Sequence, residues 1–296
     1  MPSLATQVAL AGVSNAMAAS VTNPIDVVKV RLQMDGVGVR TGHARQYGGV
    51  MDALSKLLRH DGASGLYRGL QASLWRELSY SGIRMGLYEP TKRALGGNAA
   101  DTSLGLKVMS GALTGCFGSA LANPLDLVKV RMQSATGAAP YSSVVAALSA
   151  IRAEGDGVRG LWRGTGPTCA RATLLTASQV PTYDHVKHLL VDDGHMREGY
   201  ACHFVCSMIA GVVAAAVTSP ADLVKSRIMV QPVDAATGAG TLYTGTLDCL
   251  HKIVRSEGPL ALFKGFHGQW LRIGPHTTVS LMAFEALRKF AGMAYL

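Results

Sequence analysis

The chain of 296 residues is 48% hydrophobic and only 16% charged, with a formal net charge of +9 and a mean hydropathy of +0.22. That balance is too apolar and too poor in charge for an ordinary soluble domain, so a membrane is the expected solvent. The positive excess does not read as a nucleic-acid surface, because the basic residues are spread over three loops and no aromatic-basic recognition module occurs.

In chain order, residues 1–25 contain no Asp, Glu, Lys or Arg and read as a first span, ended and kinked by Pro24 and extended by the turns after it. Pro24-x-Asp26-x-x-Lys29-x-Arg31 follows, then a basic loop with Arg40 and Arg45. After Tyr47, Val50, Leu54, Leu57 and Leu58 recur at helical i, i+3, i+4 spacing. This suits a surface helix lying along the membrane face, or equally a helix packed on other loops. Asp61-Gly62 and Tyr67-Arg68-Gly69 lead into a second apolar stretch, Leu70 to Pro90, which Arg76, Glu77 and Arg84 interrupt, so hydropathy alone scores it poorly. Tyr88-Glu89-x-x-Lys92 closes the unit.

The same order returns twice. Charge-free stretches run from Val108 to Pro124 and from Phe204 to Pro220, and the Pro-x-Asp-x-x-Lys-x-Arg copies at Pro124 and Pro220 stand 100 and 96 residues after their predecessors. Val144, Leu148 and Ile151 follow Tyr141, and Leu247, Leu250, Ile253 and Val254 follow Tyr243. Glu154-Gly155 with Trp162-Arg163-Gly164, and Glu257-Gly258 with Phe263-Lys264-Gly265, precede apolar stretches closed by Tyr183-Asp184-x-x-Lys187 and Phe284-Glu285-x-x-Arg288. Three ordered elements recurring three times make a tandem triplication. The expected fold is an all-α membrane protein with six spans and pseudo-threefold symmetry, its repeats at residues 1–97, 98–195 and 196–296. The basic loops inside each repeat belong on the side of negative potential.

No cleavable signal is visible, since no basic region precedes the first apolar run. Cys116, Cys169, Cys202, Cys206 and Cys249 read as packing residues, and Cys202-His203-x-x-Cys206 lacks the second pair that a metal site needs. No activated nucleophile, metal cluster or nucleotide loop recurs, so neither an enzyme nor a cofactor is expected.

Isolated charges at a membrane edge are costly unless paired. Threefold closure lets Asp26 reach Lys129, Asp126 reach Lys225 and Asp222 reach Lys29. At the opposite end Glu89, Asp184 and Glu285 alternate with Lys92, Lys187 and Arg288 and can form a second ring. A bundle that closes one ring while opening the other alternates its access, which is a transporter's cycle.

Seven residues beyond Gly69, Gly164 and Gly265 stand Arg76, Arg171 and Arg272. One turn on are Tyr80, Leu175 and His276, and another turn gives Arg84, Gln179 and Ser280, each trio on one helical face. Three arginines at one depth repel one another by roughly 0.4 to 1.7 kcal/mol per pair near 10 Å, so an anion should sit among them. Carboxylates suit the planar guanidinium fork, and sulfate or phosphate satisfies the same charge argument. Glu77, expected on a different helical face from Arg76, either compensates this charge or takes up a proton. His276 either couples transport to pH or packs.

Together these motifs resemble the mitochondrial carrier family over essentially the whole chain, closest to its dicarboxylate/oxoglutarate and uncoupling branch. The resemblance implies six tilted transmembrane helices, three short matrix helices, a central substrate site and location in the mitochondrial inner membrane. Its matrix network maps to the three Asp–Lys pairs, braced by Gln33 and Gln133, with Met229 in the third place. Its cytoplasmic network maps to the second ring, braced by Tyr88 and Tyr183, with Phe284 lacking the hydroxyl. Cardiolipin is expected on helix N-termini at Gly69, Gly164 and Gly265 with Gly49 and Gly245, while Tyr141-x-Ser143 departs from the glycine pattern. The implied activity is exchange of small dianions such as malate or 2-oxoglutarate by a monomer. The alternative is fatty-acid-dependent proton leak. Ala19, where uncoupling proteins carry an acid, favours exchange.

Overall fold

The computed structural model describes residues 4–36, 46–96, 103–137, 141–154, 156–192, 199–234 and 237–290. Arg40 and Arg45 lie outside the described residues, as does the side chain of Glu285. Six long helices carry the fold: α1 (Leu4–Met34), α4 (Leu70–Ala94), α5 (Leu104–Ser134), α7 (Thr165–Asp192), α8 (Tyr200–Val230) and α10 (Phe266–Phe290). Short helices α2 (Val50–His60), α3 (Gly62–Gly65), α6 (Val144–Ala153) and α9 (Thr246–Glu257) occupy the loops within repeats, with 3₁₀ turns at Arg159–Trp162 and Pro259–Phe263. The arrangement is one helical unit, long–short–long, repeated three times.

The prolines do not end the first helices. Pro24, Pro124 and Pro220 lie inside α1, α5 and α8, each of which continues to 31 residues. An interior proline deprives the carbonyl four residues before it of a partner. For Pro124 that carbonyl belongs to Ala120, and the Trp162 indole Nε1–H donates to it at 3.0 Å. Continuation through the proline carries Asp, Lys and Arg on helical turns, and so fixes the direction in which each points.

Among the described residues, only 104–134 and 202–230 are helices apolar enough by composition to cross a membrane. α1 and the second helices fall short, α4 because Arg76, Glu77 and Arg84 interrupt it. Within each repeat the two long helices approach at a glycine of the first, though at a different height in each repeat. A Cβ on Gly12 would touch Leu78 at 3.4 Å, one on Gly111 would meet Thr176 at 2.8 Å and one on Gly211 would meet Ile273 at 3.1 Å. Absence of a side chain there sets how closely the helices approach.

The short helices turn their apolar stripes into the protein. Ala53 and Leu57 of α2 pack on Val27 and Val28, Ala147 and Ile151 of α6 on Leu127 and Val128, and Cys249 and Ile253 of α9 on Leu223 and Val224. They pack on the long helices rather than on other loops, while Leu58, Leu247 and Val254 stay exposed. Each fully buried aliphatic side chain contributes about 1.5–3 kcal/mol, enough to anchor a short helix to the end of its long neighbour. Burial also pushes the Cys249 thiol up to about 12, so it stays protonated and packs as an apolar group.

Candidate functional site

The recurring Asp and Lys leave α1, α5 and α8 just beyond their prolines, where the three helices converge. Lys129 Nζ lies 2.9 Å from Asp26 Oδ2, Lys225 Nζ 2.9 Å from Asp126 Oδ2 and Lys29 Nζ 2.9 Å from Asp222 Oδ2. Every pair joins two repeats, and all three aspartates are buried.

The remaining oxygen of each aspartate meets an arginine from the third repeat. Arg272 Nε stands 3.4 Å from Asp26 Oδ1, Arg76 Nε stands 2.8 Å from Asp126 Oδ1, and Arg171 Nε pairs with Asp222 Oδ1. The Arg76 contact is ionic without hydrogen-bond alignment, since that Nε has no hydrogen-bond partner. The arginines are thus not three unrelieved charges, as their spacing suggested. Each leans from its helix onto the aspartate ring, because a long guanidinium side chain can span the gap that a residue count along one helix does not reveal.

Glu77 departs from expectation in the same way. Its Oε1 lies 2.5 Å from Arg76 Nη1, so adjacent residues that a helical wheel sets apart meet through the length of the arginine. Arg76 also lies over the Tyr80 ring at 4.9 Å, with Arg84 on the same ring at 6.0 Å. At the ring itself Lys29, Lys129, Lys225, Arg76, Arg171 and Arg272 meet Asp26, Asp126, Asp222 and Glu77, two positive charges in excess, with the exposed Arg84 a further cation outside that layer. Between them is a cavity of about 80 Å³. His276 is half-buried beside this cluster, Gln179 is exposed, and Ser280 donates to Asn15 Oδ1 at 2.7 Å.

The family description "Mitochondrial carrier protein" matches residues 2–99, 100–194 and 197–294. The chain belongs to the mitochondrial carrier family. Relatives of this carrier include "Mitochondrial substrate carrier family protein ucpB" of Dictyostelium discoideum, 44% identical over 95% of this chain and 94% of the relative. The human "Putative mitochondrial transporter UCP3" is 37% identical over 97% and 93% of the two chains. A "Probable mitochondrial 2-oxoglutarate/malate carrier protein" of Dictyostelium discoideum is 36% identical over 95% and 88%.

The glutamines of this carrier do not reach the ion pairs among the described residues. Gln33 Oε1 accepts from Ser226 Oγ at 2.7 Å and Gln133 Nε2 donates to Asn23 Oδ1 at 3.3 Å. What they share with Met229 is a packing slot. Gly265, Gly69 and Gly164 open the second helices with φ of 85°, 72° and 83°, and a Cβ there would strike Gln33 at 2.9 Å, Gln133 at 3.1 Å and Met229 at 2.9 Å. The positive φ and the close side chain both require glycine.

An outer network escaped the sequence reading. Arg31 pairs with Asp61, Arg131 with Glu154 and Arg227 with Glu257 within one repeat. The same arginines donate through Nε to main-chain oxygens of the following first helix in the threefold, at Gln133, Met229 and Gln33. Arg68, Arg163 and Lys264 add bonds to the oxygens of Ala135, Gly238 and Asp35 at 2.8, 2.7 and 2.9 Å. Burial alone would raise the Glu257 carboxyl, but hydrogen bonds from Arg227 and Lys264 outweigh it and hold the group below its ordinary range. The recurrence of these residues in all three repeats was the available signal. Asn23 and Asn123, next to their prolines, also went unread; each Nδ2 donates to the loop ahead of the second helix, at Leu66 O (2.8 Å) and Leu161 O (3.0 Å).

At the other end of the bundle, Glu89 is exposed and Tyr88, Lys92, Lys187 and Arg288 are half-buried. Asp184 lies 3.8 Å from His188, the Tyr183 hydroxyl lies 2.5 Å from His203 Nδ1, and Arg288 lies over the Phe284 ring at 5.9 Å. Two clefts open between helix N-termini. One of about 740 Å³ joins Gly265 to Gly49, and one of about 380 Å³ joins Gly164 to Gly245. At the third position Ser143 caps its own helix, accepting from Ala146 N at 3.1 Å, whereas Gly49 and Gly245 provide no side-chain cap.

Proposed function

We propose that this carrier is an antiporter of small dianions, dicarboxylates such as malate or 2-oxoglutarate, acting as a monomer and a transporter rather than an enzyme. It works in the mitochondrial inner membrane, which its six long helices cross. The observation that carries the reading is the surplus of two positive charges where the arginine and lysine layers meet, which a ligand of two negative charges neutralises. Arg171 and Arg272 present guanidinium forks toward carboxylates, with Tyr80, Arg84, Gln179 and His276 giving the site its asymmetry. Sulfate and phosphate share the charge and fall within the same class.

The Asp26, Asp126 and Asp222 ring is the matrix gate, and it is closed. Binding must loosen the arginines from the aspartates before that ring opens, while the pairs around Glu89, Asp184 and Glu285 close on the cytoplasmic side. Such exchange of one ring for the other is alternating access. The clefts at Gly49–Gly265 and Gly164–Gly245 hold cardiolipin phosphates on free helix N–H groups. The relative named for 2-oxoglutarate and malate supports the substrate class.

Exchange in proteoliposomes tests the reading. Labelled malate should enter vesicles loaded with a dianion and not empty ones. Equal entry into both would defeat it, and proton flux driven by fatty acid alone would put the leak reading in its place. Ala19, buried where that reading wants an acid, supports exchange.

A further inference from the structure

Glu77 has no acidic counterpart in the other repeats. The residues that follow Arg171 and Arg272 are Ala172 and Ile273. Glu77 is buried, its Oε1 lies 2.5 Å from Arg76 Nη1, and it stands within electrostatic reach of Lys129 on α5 and of Arg272 and His276 on α10. Arg76 is further held by Asp126 on α5. Arg76 is therefore the one central arginine with two carboxylates, while Arg171 and Arg272 each share a single aspartate with a lysine.

This asymmetry decides where a ligand can bind. A carboxylate arriving at Arg76 would have to displace Glu77 and meet its repulsion, whereas Arg171 and Arg272 carry no such competitor among these groups. Without Glu77 the cluster would hold three positive charges in excess instead of two. We infer that Glu77 is a specificity-determining residue that occupies Arg76, directs the ligand toward Arg171 and Arg272, and limits the site to ligands of two negative charges. The inference rests on the dianion reading above and narrows it by naming what rejects a trianion.

The experiment compares malate and citrate exchange, the latter at a pH where it carries three charges, in wild type, Glu77→Gln and Glu77→Asp. Comparing each ligand with itself across the variants removes the difference in ligand size. Glu77→Gln should raise the citrate-to-malate ratio about tenfold, as one unit of charge at such range in a partly screened site implies. Glu77→Asp keeps the charge and should keep the wild-type ratio. An unchanged ratio in Glu77→Gln, or equal shifts in both variants, overturns the inference. Should Glu77→Gln fail to fold, thermal shifts of wild type in detergent decide it, with stabilisation by malate expected and equal stabilisation by citrate overturning the idea. Failure of the dianion reading itself looks different, because wild type would then not exchange malate at all.

Discussion

Arg131 donates through Nε to the main-chain oxygen of Met229 at 3.0 Å, joining the end of one first helix to the end of the next. The bond uses backbone, so it is indifferent to Met standing where the other repeats have Gln. Its threefold relatives at Arg31 and Arg227 make the outer network a belt around the Asp–Lys ring, anchored in each repeat by a loop carboxylate.

That anchorage should be measurable at Glu257, which holds both Arg227 and Lys264. Glu257→Gln strands a buried arginine and should cost about 3 kcal/mol. The folded-state value of this carboxyl is depressed below its ordinary value near 4.5. Its contribution is therefore complete above that ordinary value and is lost as pH falls through the lower folded value. Thermal unfolding of wild type and variant in detergent should show a gap at neutral pH that narrows in acid. A gap independent of pH would contradict the assignment.

Within the inner ring, aspartates and lysines should not be equivalent. Asp126→Asn leaves Lys225 uncompensated and Arg76 with Glu77 alone, whereas Lys225→Gln leaves Asp126 still held by Arg76. The aspartate variant should lose about 3–5 kcal/mol and the lysine variant clearly less. Equal losses would mean that the arginine contact contributes nothing. The same geometry limits a charge swap of Asp126 and Lys225, since a lysine at 126 would face Arg76.

Arg171→Lys and Arg272→Lys keep the charge and lose the planar fork, so malate exchange should fall tenfold or more in each. Arg59→Lys, on the exposed end of α2, serves as the control and should be silent. Near-normal exchange in both central variants would mean that a diffuse positive field suffices.

Gly245→Ser should imitate Ser143, whose hydroxyl occupies the N–H groups of its own helix. The 380 Å³ cleft would then lose donors for a phosphate. Native mass spectrometry with added cardiolipin should show weaker retention of one lipid than in wild type. Undiminished retention would remove the cleft from the list of lipid sites.

The fold and the inner ring were legible because they are written as repetition. Six helices, three convergent Asp–Lys pairs and the arginine layer all follow from motifs spaced by one repeat. What sequence hid depends on side-chain length and on backbone. Arg76 reaches Glu77 and Asp126 by folding along its helix, which positional counting cannot show. Gln33 and Gln133 looked like braces for ion pairs and instead pack beneath Gly265 and Gly69. Arg31 finds Asp61 thirty residues away and a carbonyl on another repeat, a pairing that only the folded loop brings about. The prolines looked like ends of helices because their cost was visible, while the compensation at Ala120 by Trp162 was not.

Each inner aspartate takes its lysine from one neighbouring repeat and its arginine from the other, so every carboxylate is a keystone between all three. Such a ring has no separate latches to release in turn. Removing any one carboxylate from its partners loosens two junctions at once and weakens the third through the charges left behind. Opening of this end should therefore be concerted, passing between shut and open without a long-lived state in which a single repeat has swung free.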